Sequence, residues 1–268
     1  VENNYVSFAG FYWRIIRINE DGSIRLIYQG TSANATGNNA TIGDSVFNSN
    51  YDENAYVGYM YGRPGSSTYS ETHANTNDSI IKTMIDTWYE ENLLDNYATY
   101  LADSGFCGDR SIASEAGVWD SIDSALGYGT NMTYYGAYNR AVNEEQPQFA
   151  CPQNNDLYTT SSSTKGNKAL DYPIGLITAD EVAYAGGVNN IDNTSYYLYT
   201  NDGYWTMSPE FLLGGYANEW AVGSDGSLDN DVVFTVNIGM RPVINLVSGI
   251  EVISGDGTSS NPYVIKTN

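Results

Sequence analysis

Basic side chains, histidine, cysteine and long apolar runs are all scarce in this chain, and each shortage closes off a kind of chemistry. Eleven Lys and Arg stand against thirty-two Asp and Glu, a net charge of −21 over 268 residues. Such a chain repels phosphate backbones, which argues against nucleic acid as a partner. The single His, His73, lies in a polar, loop-like segment (Glu71-Thr72-His73-Ala74-Asn75), where it is no obvious base for a nucleophile. No run of about eighteen apolar residues occurs, so no membrane-spanning helix is expected. The chain opens at Val1 without a start Met and turns strand-like at once, so an upstream segment, cleaved or lying outside this sequence, is expected.

Only two Cys are present, Cys107 and Cys151, each in a turn-rich context and neither in a CxxC pair. In an exported protein such a pair is most simply a disulfide. Closing that loop would stabilise the fold by roughly 4 kcal/mol in the chain-entropy model. Two inert thiols or one catalytic thiol are the alternatives.

What the chain has in quantity is tyrosine, twenty-four against seven Phe. Tyr suits strands and half-wet surfaces, because its ring buries while its hydroxyl stays hydrogen-bonded. With 41% hydrophobic and only 16% charged residues, a real core is possible, and Asn, Ser, Thr and Gly carry the solubility. The balance fits an exported, soluble protein.

Residues 5 to 28 read as a hairpin. Val6, Phe8, Phe11, Trp13, Ile15 and Ile18 largely alternate, Asn19-Glu20-Asp21-Gly22 is a turn signal, and Ile24, Leu26 and Tyr28 return. Residues 30 to 56 read as loop. A helix is expected from Ser79 to Tyr100, with a break near Asn92 to Asp95. A strand through Ile174 to Ile177 leads into a short helix with Thr178 and Glu181 as its capping box and Gly186-Gly187 as its stop. Two Trp-containing strands follow, at Tyr204 to Pro209 and Glu219 to Leu228. A Gly-x-Arg-Pro turn (Gly239 to Pro242) then enters the apolar Val243 to Leu246, and a last strand closes at Tyr263 to Ile265.

These motifs, taken together, resemble a family of uncharacterised modules on secreted, cell-wall and pilin-like proteins of Gram-positive bacteria. The residues that carry the resemblance are Trp13 to Ile27, Ile81-Lys82 to Trp88-Tyr89, Phe106 to Ser111, Pro173 to Glu181, Tyr204 to Pro209, Gly239 to Leu246 and Ser254 to Tyr263. The C-terminal part is similar to the C-type-lectin-like fold of sulfatase-modifying enzymes and of hypervariable phage or surface binding proteins. The resemblance implies an α+β, C-type-lectin-like module over residues 1 to 268, with β-hairpins, one or two helices and a loop-rich insertion around 103 to 166. Sulfatase-modifying chemistry needs a thiol near the C-terminus, and no Cys follows Cys151. The Glu-Pro-Asn and Trp-Asn-Asp sequences of calcium lectins are absent too.

The adjacent carboxylates Glu90-Glu91, Glu144-Glu145 and Asp229-Asn230-Asp231 read as water-facing rather than as an acid pair or calcium ligands. Trp205 and Trp220 read as core, and Arg241 as a buried ion pair or carbonyl anchor. Exposed Tyr clusters, Tyr134, Tyr135 and Tyr138, then Tyr196, Tyr197 and Tyr199, are candidate ligand or interface residues. So are Glu210, Tyr216, Asn218 and Glu219, in the segment where lectin-like folds present variable residues. No enzyme activity, cofactor or metal is expected. The expected role is an extracellular, bacterial cell-surface module, a pilus or filament subunit or an adhesin. Its partners would be copies of itself, a host or cell-surface protein, or a glycan. A secreted carbohydrate- or ligand-binding protein, or a phage-derived receptor-binding protein, is the alternative.

Overall fold

The computed structural model describes residues 3–113, 126–161 and 165–267. Three strands open the chain, β1 (Tyr5–Phe8), β2 (Phe11–Ile18) and β3 (Ile24–Gly30), joined by tight turns. Short strands follow: β4 (Met60–Tyr61), β5 (Asn77–Asp78), β6 (Phe106–Cys107), β7 (Thr133–Tyr134), β8 (Leu157–Tyr158) and β9 (Ile174–Gly175). The Trp-bearing hairpin is β10 (Tyr204–Leu213) and β11 (Tyr216–Val222), followed by β12 (Leu228–Val232). The chain ends on β13 (Val243–Leu246), β14 (Val252–Ser254) and β15 (Tyr263–Ile265). The fold is mixed α+β, mostly open sheet with few helices.

A seven-stranded sheet has the order β14-β15-β1-β2-β3-β13-β9, and a four-stranded sheet the order β12-β11-β10-β7. The expected first hairpin is present, and its register sets Arg14 opposite Ile27 and Ile15 opposite Leu26. At its turn Gly22 has φ +80°, which a side chain would strain. Strands β3 and β13 lie inside the larger sheet and are buried almost throughout, so their polar members Arg25, Gln29 and Asn245 are buried along with the apolar ones. In β10, Pro209 has no N–H to give the ladder, and the register shifts on either side of it.

The long helix starts at Ser79, whose hydroxyl accepts from the Lys82 backbone N–H, and runs α-helically over Ile80–Tyr89. It then widens into a π turn over Glu90–Leu94 and ends in a 3-10 turn at Ala98–Tyr100. The expected break is therefore a change of helical pitch. Ile81, Ile85 and Tyr89 bury on the face toward the core. The second helix, Ala179–Ala185, carries the expected capping box between Thr178 and Glu181.

Tyrosine fills the interior. Tyr59, Tyr89, Tyr135, Tyr158 and Tyr204 are fully buried beside Trp13, Trp205 and Trp220. Arg241 is buried and anchors carbonyls rather than pairing with an acid. Its Nε donates to Tyr28 O (3.0 Å), Nη1 to Leu198 O (2.8 Å) and Nη2 to Gln29 Oε1 (3.1 Å).

The segment expected to be a loop-rich insertion is partly core. It gives β7 to the four-stranded sheet, and its Asp156 forms a wholly buried ion pair with Arg110 at 2.7 Å. Cys107 and Cys151 are joined as a disulfide, with Cα atoms 5.5 Å apart. The parts of that insertion at 114–125 and 162–164 lie outside the described residues.

Candidate functional site

A cleft of about 340 Å³ opens beside the disulfide. The β2–β3 turn makes one wall, where Asp21 accepts from the backbone N–H and hydroxyl of Ser23. Gly105 makes another, with φ +85° and a carbonyl that accepts from Arg25 Nη1 at 3.2 Å. Gln148, Phe149 and Ala150 close a third side just before Cys151, and the first turn of the helix Ala179–Ala185 supplies Asp180 and Glu181. The disulfide thus fixes Phe149 and its neighbours over the cleft by tying Cys151 to Cys107.

Two ion clusters form the floor. Glu181 Oε1 lies 2.6 Å from Arg25 Nε and 2.9 Å from Arg17 Nε. Burial would raise this carboxyl, but the two guanidinium groups outweigh it and hold Glu181 below its ordinary value. Arg140 binds Asp180 through Nε at 2.7 Å and Asp109 through Nη2 at 2.7 Å. Asp109 is raised by burial despite Arg140 and Ser111. Gly136 packs so close that an added Cβ would lie 2.4 Å from Ser111 Oγ and 3.0 Å from Asp109 Oδ2.

At the rim, Phe149 and Tyr184 contact each other with ring centroids 4.2 Å apart, and the Arg17 guanidinium sits 4.9 Å over the Phe149 ring. Both rings stay open to solvent, at 46% and 56% exposure.

Of the expected site residues, only Cys107 and Cys151 line this cleft. Tyr134, Tyr135, Tyr138 and Tyr196 are buried, not exposed, and Tyr197 and Tyr199 are half-buried. The reason is composition: with so few Phe, Tyr supplies core volume, and several of its hydroxyls find partners inside, while that of Tyr59 has none among the described residues. Tyr135 Oη donates to Asn54 Oδ1 at 2.7 Å, and Tyr134 packs on Tyr138 and Phe211. Glu210, Asn218 and Glu219 are buried as well. Neither carboxylate oxygen of Glu219, nor Oε2 of Glu210, has a hydrogen-bond partner among the described residues. Burial pushes both carboxyls well above the ordinary value. Tyr216 alone is exposed, at the β10–β11 hairpin, stacked on Tyr51 at 5.3 Å, with Phe234 4.6 Å from Tyr51.

His73 is also buried rather than on a polar loop. Its Nε2 lies 2.7 Å from Gly127 O, its ring contacts Tyr69, and burial holds it well below its ordinary value. One acidic cluster, Asp78, Asp86 and Asp171, brings carboxylate oxygens within 4.8 Å of one another. The Lys82 ammonium lies 3.1, 2.6 and 3.5 Å from the three, in the place a metal cation would take. Burial lifts Asp86 to about 6 against the pull of Lys82.

The cleft residues that sequence reasoning passed over carry one faint signal. Arg17 and Arg25 fall within apolar strands of a chain that has only eleven basic residues, so each is expensive to place and needs a partner. Comparison with protein-family models, with curated proteins and with solved structures finds no match to this chain.

Proposed function

We propose that the chain is a non-enzymatic, extracellular module of a bacterial cell surface, a pilus or filament subunit or an adhesin, with the C-type-lectin-like variety of α+β architecture. Its contacts would be made with copies of itself or with a host or cell-surface protein or glycan. The observation that carries this reading is the state of the cleft's acids. Glu181, Asp180 and Asp109 are each bound to a guanidinium, and Glu181 is held ionised, so it has no proton to give as a general acid. The sulfurs beside them are already spent in a disulfide. A pre-paired, cross-linked cleft is suited to holding a ligand or a neighbour without changing it.

Sedimentation of the purified protein over a wide concentration range tests the role. A filament subunit gives growing species, whereas an adhesin stays monomeric and binds cells. Turnover of glycosidic, ester or peptide substrates, lost on replacing Glu181 or Asp180, sinks the non-enzymatic reading. A secreted carbohydrate-binding protein is the second reading, favoured by the solvent-open Phe149–Tyr184 pair at the cleft mouth.

A further inference from the structure

We propose that the cleft beside the Cys107–Cys151 disulfide binds the end of a neutral pyranose oligosaccharide, with the exposed edge of the Phe149–Tyr184 pair packing against a sugar ring. The proposal rests on the non-enzymatic reading above and gives that cleft a ligand class.

Charge narrows the ligand first. Four cationic side chains (Arg17, Arg25, Arg140, Lys165) and five acidic ones (Glu20, Asp21, Asp109, Asp180, Glu181) line the cleft, a net of −1. In a chain of −21 this is a nearly neutral spot. An anion finds no surplus positive charge there and is repelled by the molecule as a whole. A cation finds Glu181, Asp180 and Asp109 already bound to guanidinium groups and Asp21 3.8 Å from the Lys165 ammonium, which leaves Glu20 as a single carboxylate. An uncharged ligand is left.

Hydrogen-bond capacity narrows it again. Arg17 uses Nε on Glu181, and its terminal nitrogens have no hydrogen-bond partner among the described residues while the side chain keeps 24% exposure. Asp180 holds Arg140 and the Gln148 backbone N–H and has lone pairs to spare. The one lining thus offers both unused donors and unused acceptor lone pairs. A hydroxyl both donates and accepts, so a vicinal polyol satisfies such a surface where an apolar ligand strands it.

The rim supplies the third requirement. A pyranose presents a face of C–H groups with partial positive charge, and an aromatic face is negative. The Phe149–Tyr184 pair offers apolar area at the cleft mouth, and Arg17 over Phe149 holds that ring in place. At about 340 Å³ the cleft lies at the small end of ligand sites, which suits a chain end rather than a long glycan laid across it.

The test is an immobilised array of neutral hexose and N-acetylhexosamine oligosaccharides, probed with the disulfide-bonded protein and with Phe149→Ala, Tyr184→Ala and Tyr216→Ala. Both rim residues are on the surface, so their variants should melt as the parent does. The expected result is binding to at least one member, weakened about tenfold by Phe149→Ala and by Tyr184→Ala and unchanged by Tyr216→Ala. The proposal is overturned if no member binds, if the rim variants bind like the parent, or if Tyr216→Ala alone abolishes binding, which would move the site to the Tyr51–Tyr216–Phe234 surface. Failure to bind leaves the filament role standing, to be judged by sedimentation. Hydrolysis of a bound glycan would instead keep the site and remove the non-enzymatic role.

Discussion

Glu219 sets a carboxyl group into a core where neither of its oxygens has a hydrogen-bond partner among the described residues, 0% exposed on β11. Burial is the larger influence, Arg110 works against it, and neighbouring Glu210 adds to it, so the group stays protonated well above its ordinary value of 4.5. Below that value the folded and unfolded chains both hold the proton, and the contribution to stability is complete. As pH rises past it, the unfolded chain ionises while the fold cannot. Stability is then lost at about 1.4 kcal/mol per pH unit until the folded group also ionises. Glu219→Gln keeps the shape and removes the titration. Urea unfolding at pH 5 and pH 8 should show a smaller loss between the two for the variant than for the parent. Equal losses would mean that Glu219 reaches water. His73 works in the other direction: its lowered value makes its contribution full above the ordinary 6.5 and lost on acidification. Neither burial was legible in the sequence. Glu219 sits between Asn218 and Trp220, and a polar neighbour on one side and an aromatic on the other say nothing about which face a strand turns inward once both faces of the sheet are covered.

At the scale of elements much was legible, because the signals are local. The Thr178–Glu181 capping box, the Asn19 to Gly22 turn and the Gly-x-Arg-Pro entry into β13 each follow from a handful of adjacent residues. What stayed hidden is the second task of Glu181. It closes the cap and also binds Arg17, 164 residues away in sequence, and the fully buried Arg25. Sheet order is hidden for the same reason, since β13 pairs with β3 across more than 200 residues of sequence. This double role separates two substitutions. Thr178→Ala removes one capping hydrogen bond and should cost about 1 kcal/mol. Glu181→Gln leaves Arg25 buried without a counter-charge and should cost about 3–5 kcal/mol. Denaturant melts of the two variants check the order, and a Glu181→Gln cost no larger than that of Thr178→Ala would mean that Arg25 finds water instead. The candidate site was legible only in its sulfurs. Its walls come from stretches scattered between Arg17 and Ser208, and four of the tyrosines singled out for binding, Tyr134, Tyr135, Tyr138 and Tyr196, were drawn into the core because this chain uses Tyr where others use Phe.

For the molecule as a whole, one covalent bond and one long-range field act in opposite directions. The disulfide spans 44 residues of sequence, so replacing both Cys by Ser should lower stability by about 4 kcal/mol, measured by chemical denaturation. A net charge of −21 works against compactness, because the carboxylates of the folded surface lie closer together than those of the unfolded chain. The ion pairs most able to offset this repulsion, Arg25 with Glu181 and Arg110 with Asp156, are buried, and salt screens them poorly. Salt therefore acts mainly on the surface repulsion. Raising NaCl from about 10 mM to about 500 mM shortens the screening length from roughly 30 Å to a few ångströms. The expected result is a Tm that climbs by several degrees, by the same amount with choline chloride, since screening does not depend on which monovalent cation supplies it. A falling Tm would show that exposed ion pairs, such as Lys266 with Glu251, outweigh the repulsion. The same titration bears on assembly. Copies carrying the same large charge repel one another as the surface carboxylates do, so light scattering from a filament-forming protein should rise along the salt series. A protein that works alone should scatter the same at both ends.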